Sequence, residues 1–342
     1  MSKSQPSFIQ DPRTASPLFT SCVVIALSTI VIIYALVQRK RGRDKPALDP
    51  VLFSSLPLVG KESLSHDTRR FTFGLPNGPN GKLGLPVGQH ITLKYTERLK
   101  SGSNDDDDGG DGGGGTSTTC TTKDHTRSYT PVTGDDTPGT VTFVIKIYKS
   151  GVHPKFPMGG KMSQHLDSLK VGDTMLMRGP KGHMTYHKNG NFTVHPILKR
   201  DPTQHRSARR FGMIAGGTGI TPMLQIMNAV LRDEPNSSVT VSLLYANQTE
   251  DDILVREELE DAVSRYGGRF KLHYTVDRPP EGKRWIYSTG FITKEMIRDH
   301  LPRPEDDGST QILMCGPPPM VKFACLPNLE ALGYKKTDYF VF

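Results

Sequence analysis

Phe211-Gly-Met-Ile-Ala-Gly-Gly-Thr-Gly-Ile-Thr-Pro-Met-Leu-Gln-Ile-Met-Asn-Ala-Val-Leu231 decides how the C-terminal part of this chain folds. Phe211 to Ala215 is an apolar run of the length of a buried strand, and Met223 to Leu231 reads as a helix. Between them, Gly216, Gly217 and Gly219 allow a tight turn in which a ligand approaches the backbone closely. Thr221 is placed to cap the helix and Pro222 to occupy its first position. A helix start of this kind attracts anions and polar ligand groups. The turn departs from the G-x-G-x-x-G pattern because Pro222 stands where the third glycine belongs, so a standard dinucleotide turn is not implied. A glycine-rich turn with no ligand is the alternative.

Downstream the same alternation continues. Val239 to Ala246 reads as a second buried strand. Asp251 to Tyr266 reads as a helix with Ile253, Leu254, Leu259, Ala262 and Val263 on one face, and Phe270 to Val276 and Gln311 to Cys315 as further strands. Strands alternating with helices imply βαβ units and a parallel sheet. Cys315-Gly-Pro-Pro-Pro-Met320 closes the last of these strands, at the carboxyl edge where open α/β sheets bind ligands. A small buried cysteine is the plainer reading of Cys315.

Upstream, from Val51 to Pro180, short β-branched and aromatic runs such as Ile91 to Tyr95 and Val141 to Tyr148 predict a small antiparallel barrel. Two stretches in it suit a phosphorylated ligand. In Arg127-Ser-Tyr-Thr-Pro131 the arginine can grip a phosphate bidentately, and Tyr129 and Thr130 offer a flat ring and a hydroxyl. In His153-Pro-Lys-Phe-Pro-Met-Gly-Gly-Lys-Met-Ser-Gln164 a glycine pair leads into a helix start carrying Lys161 and Ser163. An ordinary strand end and a simple helix cap by Ser163 are the competing readings. Residues 101–122 interrupt the barrel with Asp105 to Asp108 and a glycine run, a composition that predicts a disordered surface loop. Consecutive aspartates lack the spacing of a calcium loop.

The 342 residues suit two domains, 51–180 and 208–342, with 39–50 and 181–207 as linkers. The net charge of +8 fits an anionic membrane or an acidic protein partner. No zinc-finger or RNA-binding motif accompanies it, so nucleic acid is not expected as a partner. Four cysteines, Cys22, Cys120, Cys315 and Cys325, form neither a disulfide framework nor a C-x-x-C metal pattern, and no metal is expected.

At the N-terminus, a tail over 1–17 precedes a run from Leu18 to Val37 without a charged residue. Twenty residues of helix span about 30 Å, a bilayer core, so 18–38 is expected to be a transmembrane anchor. A signal peptide would have a shorter apolar region and a small-residue cleavage site. A core helix would be amphipathic. Arg39, Lys40, Arg41, Arg43 and Lys45 follow the run and place the rest of the chain on the cytosolic side.

The order and spacing of these motifs resemble the NADH–cytochrome b5 reductase family, within the ferredoxin–NADP reductase-like flavoproteins. The resemblance runs from Val51 to Phe342. It rests on His66-Asp-Thr-Arg-Arg-Phe71, Leu85-Pro-Val-Gly-Gln-His90, residues 153–164, GGTGITPM over 216–223, Ala246 to Leu254, CGPPPM over 315–320 and the terminal Phe-Val-Phe342. It implies a membrane-anchored monomer with an FAD barrel and an NADH-binding α/β domain. Such an enzyme passes electrons from NADH to cytochrome b5, at the endoplasmic reticulum or the outer mitochondrial membrane.

The resemblance also implies residue roles. Arg127, Ser128, Tyr129, Thr130, Val144, Lys146, Lys161, Met162, Ser163 and Thr221 would hold FAD. Gly217, Thr218, Asp277, Cys315, Gly316 and Pro317 would hold NADH, with Thr218, Lys146 and Cys315 closest to the reaction. Asp277 would repel the 2′-phosphate of NADPH. Lys155, Lys161, Lys199 and Arg200 are candidates for steering an acidic haem protein. Ser128 departs from the family's R-P-Y-[TS] motif, where proline is usual.

Overall fold

The computed structural model describes residues 45–100, 120–152, 157–198, 200–232, 237–282 and 284–342. The expected anchor over 18–38 lies outside them, as do Lys155 and Lys199. Among the described residues no helix is long and apolar enough to cross a membrane. Residues 46–342 form one compact unit.

Its first part is a six-stranded antiparallel sheet. The strands are β1 (Ser54–Ser63), β2 (Thr68–Gly74), β3 (His90–Lys100), β4 (Cys120–Tyr129), β5 (Thr140–Lys146) and β6 (Thr174–Lys181), with α1 (Lys161–Ser168) between the last two. The spatial order is β4-β3-β6-β1-β2-β5, so the predicted barrel is a sheet whose end strands do not pair with each other. Phe71, Phe73, Phe143, Leu58 and Ile91 fill its core at 0% exposure, the inward half of a period-two pattern.

Two sequence expectations are corrected here. Cys120 to Thr122 belong to β4, paired with Lys100 to Arg98, so the predicted disordered segment is shorter than 101–122; residues 101–119 lie outside the described ones. Part of the expected 39–50 linker is core: Ala47 and Leu48 are buried, their amides donating to the Lys82 and Leu83 carbonyls.

Residues 181–207, expected as a linker, fold into a three-stranded sheet of β7 (Met184–Tyr186), β8 (Asn191–Val194) and β9 (Gln204–Ser207). Tyr186 and Phe192 pack edge-on against Phe211, at ring-centroid distances of 5.9 and 6.0 Å.

The second part is a parallel sheet of β10 (Arg210–Gly216), β11 (Thr240–Asn247), β12 (Phe270–Val276), β13 (Ser288–Thr289), β14 (Thr310–Cys315) and β15 (Tyr339–Val341), in the order β13-β12-β11-β10-β14-β15. Alternate residues of β10 face opposite sides, and both sides are covered, as parallel sheets require. Phe211, Met213 and Ala215 join α2 (Ile220–Leu231) and α3 (Arg256–Tyr266). Ile214 joins α4 (Lys294–His300) and α5, a helical run through Pro318–Met320, a π-helical Val321–Cys325 and Leu326–Ala331. Helix α3 starts later than predicted. Ile253 and Leu254 are buried in the connection before it, and Val263 is 37% exposed.

On the α4 side, His273 of β12 stacks on His300 with centroids 3.4 Å apart. Burial, and then the neighbouring His300, lower the His273 pKa from 6.5 to about 4. Between those pH values the unfolded chain takes up a proton that the folded chain resists, so stability falls with pH across that window. The expected result is a denaturation midpoint that drops from pH 6.5 towards 4, with a smaller drop in His273→Gln. Equal slopes in the two proteins would contradict this.

Candidate functional site

The parallel sheet reverses strand order between β10 and β14, and a crevice for ligands is expected outside the carboxyl ends of strands at such a point. Two of the predicted motifs meet there. The turn Gly217–Gly219 leaves β10 and runs directly into α2, while Cys315 and Gly316 leave β14 beside it. A Cβ on Gly219 would lie 2.1 Å from the Cys315 carbonyl oxygen, so only glycine allows the two backbones this close. Gly217 has φ +52°, and a Cβ there would meet nothing within 4 Å. The turn therefore has a strained-for-others backbone and open space above it, which fits a ligand lying on its amides. From below, the Tyr245 hydroxyl donates to the Gly217 carbonyl at 2.9 Å.

The expected cap is corrected. Gly219 holds the N-cap place of α2, and Thr221 is the helix's second residue, buried, its hydroxyl donating to the Thr218 carbonyl at 3.2 Å. Pro222 is likewise inside the helix rather than at its first position. Burial pushes the Cys315 thiol up to about 11, so it is an uncharged thiol at neutral pH rather than a thiolate. Asp277 is exposed just past β12, its amide donating to the Asn247 carbonyl at 3.1 Å. Gly316 is half-buried and Pro317 exposed at the same edge.

Of the predicted flavin residues, Val144 and Lys146 lie on β5. Val144 is 4% exposed and packs into the core of the parallel-sheet part, and the Gly217–Gly219 turn packs against β5. Beyond the strand, the Tyr148 amide donates to Ser163 Oγ at 3.1 Å, and Ser163 Oγ donates to the Gly160 carbonyl at 2.9 Å. Ser163 thus ties the start of α1 to the end of β5. Gly160, not Ser163, is the N-cap, and Lys161 and the buried Met162 open the helix.

Helix α1 packs against β4, which carries Arg127 and Ser128, both exposed. Arg127 Nη1 donates to the Thr126 carbonyl at 2.9 Å, and among the described residues Arg127 makes no ion pair. Tyr129 and Thr130 are half-buried, and burial raises the Tyr129 hydroxyl to about 12.

The lysines are committed. Lys161 Nζ lies 2.9 Å from Glu97, which also holds His125 at 2.8 Å. Lys146 Nζ lies 2.8 Å from Asp67 and 3.2 Å from Asp252. Arg200 is 83% exposed. Sequence reasoning assigned no role to Asp67, Asp252 or Gln225. Gln225 Oε1 accepts the Gly88 amide at 2.6 Å, joining α2 to the antiparallel part. These three join segments far apart in the chain, so no local pattern shows their partners.

The profile of the oxidoreductase FAD-binding domain matches residues 55–104 and 116–186, and that of the oxidoreductase NAD-binding domain matches 213–326. NADH-cytochrome b5 reductase 2 of Gallus gallus is 48% identical over 302 residues, which are 88% of this chain and 90% of the relative. NADH-cytochrome b5 reductase 1 of Homo sapiens is 46% identical over 330 residues, 96% of this chain and 98% of the relative. Among solved structures, the cytochrome b5 reductase domain of Ulva prolifera nitrate reductase superposes with a TM-score of 0.73 at 42% identity, covering 87% of this chain and 100% of that one. With both domain profiles matched and with identity of this extent, the chain belongs to the NADH–cytochrome b5 reductase family.

Proposed function

We propose that this chain is a flavoenzyme that takes electrons from NADH onto FAD and delivers them singly to cytochrome b5. The observation that carries the reading is the convergence on β5. The Gly217–Gly219 turn packs against this strand, and Ser163 ties its far end to the start of α1. A nucleotide on the turn and a flavin along β5 are thereby brought to one seam.

When bound, FAD accepts a hydride from NADH and releases the two electrons one at a time; that chemistry is the cofactor's. The protein supplies position. Arg127 and the amides at the start of α1, with Ser128, Lys161, Met162 and Ser163 around them, would hold the flavin's phosphates. Tyr129, Thr130, Val144 and Thr221 would hold its ring. Gly217, Thr218, Cys315, Gly316 and Pro317 would hold NADH, and Thr218, Lys146 and the neutral Cys315 thiol would serve the hydride transfer. No side chain has to move a proton for hydride transfer, so alignment is the main contribution. Asp277 disfavours a 2′-phosphate by charge.

The domains assigned are 51–180 for FAD and 208–342 for NADH. The 18–38 run anchors them, facing the cytosol, in the endoplasmic reticulum or the outer mitochondrial membrane. Its uncharged length and the basic residues after it support this. The proposed enzyme is a monomer.

The test uses the purified full chain with oxidised cytochrome b5. Addition of NADH is expected to reduce the haem in a catalytic amount of enzyme, and the rate to fall as salt screens a basic donor from an acidic acceptor. Flavin reduction without haem reduction would leave the flavoenzyme and remove the acceptor.

A further inference from the structure

The described residues contain one cluster of metal-type ligands, His66, Asp67 and Asp252, with ligand atoms within 4.8 Å of one another. A cation already serves the two carboxylates: the Lys146 ammonium, 2.8 Å from Asp67 Oδ2 and 3.2 Å from Asp252 Oδ1. Lys146 is on β5 of the antiparallel sheet. Asp252 belongs to the parallel-sheet part, 106 residues further along, so this ion pair crosses the seam.

Each carboxylate divides its oxygens in the same way. Asp67 Oδ1 accepts the Thr68 hydroxyl at 3.1 Å, and Oδ2 meets Lys146 at 2.8 Å and the exposed His66 Nε2 at 3.4 Å. Asp252 Oδ2 accepts the Thr249 amide at 3.1 Å and the Thr249 hydroxyl at 2.7 Å, which leaves Oδ1 for Lys146. The two acids are thus rigidly seated before they meet the lysine. Their side chains are only 17% and 11% exposed, and Lys146 is 26% exposed. Burial acts to lower the Lys146 pKa, but the bonds to Asp67 and Asp252 outweigh it and the net shift is upward. Screening by salt is weak at that depth.

We propose that Asp67 and Asp252 are positioning residues that latch Lys146 from the two sides of the seam and so fix the Gly217–Gly219 turn against β5. The inference rests on the functional reading above only where hydride transfer is the readout. Both acids act through one ammonium, so their effects do not multiply. Removing either loosens the seam beside β5, which Gln225 and Val144 still hold elsewhere, and alignment is lost before affinity, because neither residue belongs to the glycine turn.

The experiment compares the full-length holoenzyme with Asp67→Asn, Asp252→Asn, the double variant and Asp252→Glu. Rapid mixing with NADH without oxygen is expected to show the limiting rate of flavin bleaching down about tenfold in each single variant. The double variant falls no further, half-saturation by NADH moves less than about threefold, and Asp252→Glu recovers most of the rate. Hydrogen exchange in the free proteins is a readout independent of the chemistry. The Gly88 amide, bonded across the seam to Gln225, should exchange faster in both single variants. Wild-type bleaching rates in both single variants, losses that multiply in the double, or unchanged exchange at Gly88 would overturn the latch. A wild type that NADH does not bleach would sink the flavin reading instead, and the exchange data would still decide the latch.

Discussion

Replacement of Gly219 by alanine is expected to slow NADH-driven flavin reduction by about a hundredfold while FAD stays bound. The added methyl carbon would sit 2.1 Å from the Cys315 carbonyl oxygen, a backbone atom with no flexible end to yield. One of the two turns has to retreat, and a shift of about 1 Å at a hydride-transfer site costs roughly 100-fold. Overpacking of this kind costs about 1–3 kcal/mol of stability, which the chain tolerates if its melting temperature falls by only a few degrees. The flavin residues on β4, β5 and α1 are untouched, so the FAD content should be that of the wild type, with only the flavin contact of Thr221, two residues along, open to change. Rapid-mixing kinetics at saturating NADH check the first statement and a spectrum checks the second. A variant with the wild-type rate would show that the close approach of the two turns does not set the nucleotide's place.

Arg127→Ala is expected to have its effect on the other cofactor. Arg127 is exposed on β4 beside the start of α1, and its guanidinium makes no ion pair among the described residues. A hydrogen bond to a charged group contributes about 1.5–3 kcal/mol, so its loss should weaken FAD binding roughly 10- to 150-fold. Purified Arg127→Ala should be pale and regain colour with added FAD, with little change in the unfolding of the apoprotein. A fully yellow variant with unchanged FAD affinity would move the phosphate grip elsewhere, to the amides at the start of α1.

The architecture was legible in the sequence where period and composition agree. The runs at 211–215, 239–246 and 311–315 are too apolar for a half-exposed strand, and each is a strand of the doubly covered parallel sheet. The glycine turn and the Cys-Gly turn could be placed at its carboxyl edge because each follows such a strand. What the sequence misplaced depends on partners distant in the chain. Pro222 suggests a helix beginning at that residue, but the Gly217–Gly219 turn runs straight into α2 and puts Gly219 at its cap. The 181–207 stretch carries strands of only three or four residues, too short to show a period, and they are held by Tyr186 and Phe192 against Phe211.

The site shows the same division. Tyr129 ends β4, Ser163 lies on α1 and Thr218 lies in the turn that leaves β10. Thr221 and Ser163, however, spend their hydroxyls within the fold, on the Thr218 and Gly160 carbonyls. Asp67 and Asp252 lie within the quoted stretches 66–71 and 246–254, but nothing local pairs them with Lys146, because a carboxylate's partner across a seam is set by how two sheets pack. Only the folded chain brings residues 67, 146 and 252 together.

The central claim is that one chain holds a flavin and a nicotinamide nucleotide at a shared seam, with Asp277 choosing between nucleotides. The most direct measurement is the visible spectrum of the purified full chain, followed without oxygen after addition of NADH or NADPH. Flavin bands that bleach quickly with NADH and at least about tenfold more slowly with NADPH are the predicted result, as charge repulsion at the exposed Asp277 carboxylate allows. A colourless protein that cannot be reconstituted with FAD, or a yellow one that NADH does not bleach, would contradict it.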